Sequence, residues 1–202
     1  DRYFEKKNPN YSKYHRYFSP NDHSQVIGEA TPIYMYWNKS IERIYVYNPQ
    51  IKLIIILRNP IDRAFSHWNM ERDKGRESRT FLKAILDEES KINSPNYSQN
   101  KILSYLDRGY YSQQIKNIYN YFNKDQLLIL RSEELRENPD STLMNVADFL
   151  SIPPFNPVDH KEVNSRSYPH KMSDDEHTVL SGFYEEELSS LENILGWDLS
   201  SW

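Results

Sequence analysis

The stretch Lys52-Leu-Ile-Ile-Ile-Leu-Arg58-Asn-Pro-Ile-Asp-Arg63-Ala-Phe-Ser66-His-Trp68 sets an arginine at the end of an apolar run and places a hydroxyl farther along. An apolar run without polar alternation reads as a strand buried on both faces. Asn59 is a candidate N-cap, Pro60 suits a first helical position, and Ile61, Ala64, Phe65 and Trp68 fall at helical spacing. The strand thus delivers the Arg58 guanidinium to its carboxyl end, where a helix begins with free backbone N–H groups. A guanidinium and N–H groups converging on one spot make an anion site. Ser66 follows Arg63 by one helical turn, so the two share a face, and the Ser66 hydroxyl can reach an anion that Arg58 grips. Geometry alone leaves an equal alternative, a strand-end arginine paired with a nearby carboxylate.

The elements that must position these residues are marked by apolar patterning. Strands are predicted at Gln25 to Gly28, Lys52 to Leu57 and Gln126 to Leu130. One amphipathic helix carries Tyr111, Ile115, Ile118, Tyr119 and Phe122, and another opens at Asn138-Pro139 with Leu143, Val146, Phe149 and Leu150. Ser173 and Glu176 form a capping-box signature for a long last helix through Val179, Leu180, Phe183, Leu188, Leu191 and Ile194, which Gly196 ends. Pro153-Pro154 and Pro157 break the chain before an aperiodic segment, Asp159 to Lys171, that reads as a mobile clamp. Strands alternating with helices predict an α/β fold, an open parallel sheet flanked by helices, in one domain spanning residues 1–202. Ligands are expected at the carboxyl ends of its strands.

Composition narrows the function classes. A net charge of -4 with a pI near 5.9 supplies no basic field for nucleic acid or an anionic membrane, so any anion site must be local. The absence of cysteine excludes disulfides, thiolate zinc sites and cysteine nucleophiles, and with no signal peptide in view it points to the cytoplasm. No run approaches the roughly 20 apolar residues of a membrane span. The histidines at 15, 23, 67, 160, 170 and 177 show no ligand spacing, so no metal site is expected. A mean hydropathy of -0.84 still permits a core, because 16 Tyr, 8 Phe and 4 Trp bury large surfaces.

The Arg58 to Ser66 string resembles the 3′-phosphate-binding motif of sulfotransferases that use 3′-phosphoadenosine 5′-phosphosulfate, particularly the glycan-modifying and related bacterial branch. The likeness continues through Gly28-Glu29-Ala30-Thr31-Pro32-Ile33-Tyr34, Tyr47-Asn48-Pro49, Arg108-Gly109-Tyr110, Leu128-Ile129-Leu130 and Glu134-Leu135. Asn164-Ser165-Arg166-Ser167-Tyr168-Pro169 is similar to the loop that closes over the cofactor, with Asn164 and Ser165 where the family has lysine and glycine. The resemblance implies the P-loop-like sulfotransferase fold, with Arg58, Ser66, Ser165, Arg166 and Tyr168 as cofactor-binding residues and adenosine 3′,5′-bisphosphate as product. The family needs no metal.

Complete members of that family open with a strand, a Lys-x-Gly-Thr-Thr/Ser loop and a helix that hold the phosphosulfate, and a glutamate base follows them. Nothing between Asp1 and Trp202 matches that loop. The expectation is therefore a fold lacking its first strand and phosphosulfate loop, inactive as residues 1–202 alone. Glu29 is the remaining candidate for a catalytic carboxylate, against the plainer reading of a salt bridge to an arginine. Ala30 stands where heparan-type members have a lysine, which argues against heparan itself as acceptor. The function implied is sulfonate transfer to a hydroxyl or amine of a carbohydrate or other small molecule. The alternatives are a non-catalytic remnant that binds adenosine bisphosphate or a protein partner, and a P-loop phosphotransferase, whose Walker lysine is not found here. The oligomeric state is not legible in the sequence.

Overall fold

The computed structural model describes residues 4, 6–20, 26–37, 39–156, 168 and 171–202. Among these the elements are α1 (Tyr11–His15), α2 (Ser40–Tyr47), β1 (Leu53–Leu57), α3 (Pro60–Asp73), α4 (Phe81–Ile92), α5 (Tyr111–Tyr119), β2 (Leu127–Arg131), α6 (Ser132–Glu137), α7 (Pro139–Leu150) and α8 (Asp174–Leu195). Short 3₁₀ turns occupy Asp107–Gly109 and Lys124–Gln126. The chain divides into two compact units, residues 1–57 with 117–161 and residues 58–116 with 162–202.

In the first unit β1 and β2 pair in parallel, from Leu53 opposite Leu127 to Leu57 opposite Arg131. The parallel sheet expected from the apolar runs is present, but β1 is not buried on both faces. Leu53 and Ile55 pack on an aromatic core that contains Phe4, Tyr14, Tyr34 and Tyr36, whereas Ile54 and Ile56 are 39% and 50% exposed. The reason is the strand's period of two: alternate isoleucines face opposite sides, and among the described residues only one side meets this core. The strand predicted at Gln25 to Gly28 is not found either. Gln25 lies outside the described residues, and Val26, Ile27 and Gly28 are exposed backbone outside any ladder. A short apolar pair that meets no ladder acceptor among the described residues gains nothing by extending.

The second unit is built on α3, whose Ile61, Ala64, Phe65 and Trp68 are all buried as their spacing predicts. They meet Phe81, Ala84 and Ile85 of α4, then Tyr105, Leu106, and Leu180 and Tyr184 of α8. Helix α4, which the sequence reading does not place, starts on the Thr80 hydroxyl that caps the Lys83 N–H. The capping box of Ser173 and Glu176 starts α8, and Gly196 ends it in the left-handed conformation at φ 67°. A Cβ at Gly109 would run into the hydroxyl and ring of Tyr184, so close helix packing accounts for that glycine.

Three buried carboxylates hold the segment that joins these helices. Glu88 accepts the backbone N–H groups of Tyr105, Leu106 and Asp107 at 2.6, 2.8 and 3.0 Å. Glu187 accepts both the N–H and the hydroxyl of Ser112 at 2.7 Å. Burial raises the pKa of each, and the hydrogen bonds oppose the rise without cancelling it. Glu77 behaves the other way. Although burial raises its pKa, the Arg79 guanidinium and backbone N–H, helped by the Tyr105 hydroxyl, outweigh it and hold the carboxyl at about 2.

Glu77 therefore stabilises the fold fully above its ordinary pKa of 4.5, and the contribution is lost as pH falls from 4.5 toward 2. The raised carboxyls titrate above 4.5, outside that window. Glu77→Gln is expected to cost about 2 kcal/mol at pH 7, because a charged acceptor of several hydrogen bonds is removed. Denaturant unfolding at stepped pH should show wild type and variant converging below pH 4. A constant difference from pH 7 to pH 3 would mean that the Glu77 charge contributes nothing.

Candidate functional site

Arg58 follows the last residue of β1, and α3 begins two residues later, as the apolar run and Pro60 predict. The helix start is not, however, a set of free N–H groups. Pro60 has none, and the Asn59 side chain already accepts from Ile61 at 2.8 Å and Asp62 at 3.3 Å. The first intrahelical bond then runs from Arg63 N–H to the Asn59 carbonyl at 2.9 Å. An asparagine that caps well also uses up the donors that an anion would need. Anion affinity at this helix start must come from side chains.

Arg58 contacts the Asp62 carboxylate in the first turn of α3, at 3.5 Å, with the two side chains 39% and 54% exposed. An exposed pair of this length is worth about 0–1 kcal/mol, so it leaves the guanidinium exchangeable. Ser66 is half-buried on α3, and its oxygen accepts from the Tyr168 hydroxyl at 2.8 Å. The Tyr168 ring lies edge-on to Phe65 at 5.7 Å, which ties it to the core of the second unit. Arg58, Ser66 and Tyr168 all belong to this unit. Arg166 and Ser165 lie outside the described residues, as does most of Asp159 to Lys171.

His67 faces the Tyr105 ring at 5.0 Å; burial, then the charges of Arg108, Arg63 and Lys74, lower its pKa to about 3, so the ring is uncharged at neutral pH. Arg63 donates to the Tyr105 carbonyl, and the Tyr111 hydroxyl donates to the Arg58 carbonyl at 3.1 Å. Sequence reasoning gave Tyr111 a core role alone; a contact between residues 53 apart leaves no local signature.

Glu29 belongs to the first unit and does not end a strand. Among the described residues its hydrogen-bond partners are tyrosines: it bonds the side chains of Tyr34 and Tyr14. The residue is exposed as a whole, while its carboxyl end is desolvated among these rings, and that desolvation raises its pKa above the ordinary carboxylate value. Among the described residues no group of His, Asp or Glu side chains is placed to hold a metal ion, and no helix is long and apolar enough to cross a membrane.

Comparison with known proteins gives a consistent family. The model of the sulfotransferase domain matches residues 39–187. The human bifunctional heparan sulfate N-deacetylase/N-sulfotransferase 2 is 34% identical over 110 residues, 53% of this chain and 12% of that protein. The mouse heparan sulfate glucosamine 3-O-sulfotransferase 5 is 30% identical over 131 residues, 64% of this chain and 37% of that protein. The crystal structure of a sulfotransferase from Alicyclobacillus acidocaldarius superposes with a TM-score of 0.80 at 26% identity, covering 96% of this chain and 74% of that one. The chain thus spans well under half the length of the two heparan sulfate relatives.

Tyr168→Phe removes the hydroxyl that donates to Ser66 and keeps the ring against Phe65. The expected cost is about 1 kcal/mol of stability, the net worth of one partly buried hydrogen bond. Thermal unfolding of the variant beside wild type checks it; a midpoint shift of many degrees would mean that the hydroxyl holds far more than Ser66.

Proposed function

The chain belongs to the sulfotransferase domain family, and from that premise we propose that it transfers a sulfonate group from 3′-phosphoadenosine 5′-phosphosulfate to a hydroxyl or amine acceptor on a carbohydrate or other small molecule. In this reading residues 1–202 act as one sulfotransferase domain. The observation that carries it is the chemistry left available at Arg58 and Ser66. The guanidinium is engaged by an exposed, long ion pair that a dianion can displace. Ser66 accepts a hydrogen bond from the Tyr168 hydroxyl, so its own O–H is available to donate to a phosphate oxygen. A cation beside a hydroxyl donor suits a phosphate monoester such as the nucleotide's 3′-phosphate.

Arg58 and Ser66 would hold that phosphate, with Tyr168 orienting Ser66 and with Ser165 and Arg166 contributing from the loop. The bound donor would supply the sulfonate and a phosphate leaving group. Glu29 is the carboxylate assigned to the acceptor's proton: a pKa raised by desolvation makes it a stronger base than an exposed glutamate, and Tyr14 and Tyr34 fix its oxygens. The acceptor class is taken from the relatives, whose names specify heparan sulfate and glucosamine. A cytoplasmic place for the protein is part of the same proposal and rests on its lack of cysteine.

Arg58→Ala should abolish binding of adenosine 3′,5′-bisphosphate at micromolar concentrations, since a charge-assisted phosphate contact is worth about 2–5 kcal/mol. Ser66→Ala should cost about 1–2 kcal/mol. Titration calorimetry measures both, and an Arg58→Ala variant that binds like wild type would end the assignment.

A further inference from the structure

We propose that Tyr111 is a positioning residue for Arg58, anchored through Ser112 by Glu187. The inference rests on the nucleotide-binding reading of Arg58 given above. The Tyr111 hydroxyl donates to the Arg58 carbonyl at 3.1 Å and hydrogen-bonds the Arg63 side chain. A guanidinium cannot accept, so Tyr111 takes a hydrogen bond from Arg63 while giving its own proton to Arg58. One buried hydroxyl thus holds the turn that leads into α3, through the Arg58 carbonyl, and the start of the helix itself, through Arg63.

Within the turn the Asn59 side chain holds the N–H groups of Ile61 and Asp62, not the Arg58 carbonyl. The helix's own hydrogen bonds begin one residue later, at the Asn59 carbonyl, so they do not hold the Arg58 peptide. The Arg58 side chain meets Asp62 only in an exposed pair. Tyr111 itself is firmly set. It is 5% exposed, and the next residue, Ser112, gives both N–H and hydroxyl to the buried Glu187 at 2.7 Å. A guanidinium is a planar fork whose phosphate contacts depend on its orientation, so small errors in the backbone that carries it are felt at the anion.

The test is calorimetric titration of the chain with adenosine 3′,5′-bisphosphate in wild type, Tyr111→Phe, Arg58→Lys and the double variant. Tyr111→Phe keeps the ring and should weaken binding about tenfold. On the Arg58→Lys background the same change should weaken it less than about twofold, because an ammonium is a point charge on a flexible stem and tolerates a displaced backbone. Equal losses on both backgrounds would show a merely structural role and overturn the proposal, as would no loss on either. Should Tyr111→Phe fail to fold, Glu187→Gln keeps the volume, weakens the anchor, and must show the same dependence on Arg58. If wild type does not bind, or binds no better than Arg58→Lys, the nucleotide reading itself falls and the positioning role falls with it.

Discussion

A carboxylate taken out of water must find its hydrogen bonds in the protein. Glu88 and Glu187 find theirs in the segment Tyr105 to Ser112, at its two ends, and the second unit is organised around that exchange. The segment has a 3₁₀ turn of three residues and then the first turn of α5, so several of its N–H groups lack a helical acceptor. Two side chains from α4 and α8 supply the acceptors, which ties both helices to the same backbone. Removing either carboxylate would leave buried donors unpaired, at about 1–3 kcal/mol for each such group.

The carbonyls of the segment are treated with equal economy. Arg63 donates to the Tyr105 carbonyl and Tyr184 to the Leu106 carbonyl, the latter at 2.7 Å. Tyr184 needs Gly109 beneath its ring to reach that carbonyl. The pattern Arg108-Gly109-Tyr110 is therefore explained by packing: the glycine makes room for a tyrosine from α8 that closes the backbone's accounts. Burial among these groups raises the pKa of Tyr110 to about 12, so its hydroxyl stays protonated throughout the neutral range.

The α/β class, the parallel pairing of β1 with β2, and the helices α3, α5, α7 and α8 were legible because each has a local signal. Asn59-Pro60 and Ser173 with Glu176 mark starts by capping chemistry, Asn138-Pro139 marks one through the proline at the first helical position, and Gly196 marks an end. What was not legible depends on distant residues. Among the described residues Val26 and Ile27 have no ladder partner and only one face of β1 meets the core, which neither apolar run reveals by itself. The same limit applied to the candidate site. Arg58 and Ser66 could be picked out by type and spacing, but the capture of α3's first N–H groups by Asn59, the Asp62 pair and the Tyr111 contact are matters of geometry.

These particulars describe an arginine whose backbone is fixed and whose side chain is not committed. A deeply buried Arg58–Asp62 pair would gain strength from the low dielectric and would resist exchange, since a ligand would have to replace a strong contact with another. At 39% and 54% exposure the pair is solvated, so its loss costs little when a more highly charged anion arrives. Asp62 can then return to water, because more than half of its side chain is already there. In the proposed nucleotide-binding role, the rigidity that binding requires would come from the Arg58 carbonyl, which accepts from the Tyr111 hydroxyl, and not from the guanidinium. On that proposal, separating the two tasks would let the backbone be ordered before the nucleotide binds while the guanidinium keeps its full capacity for it.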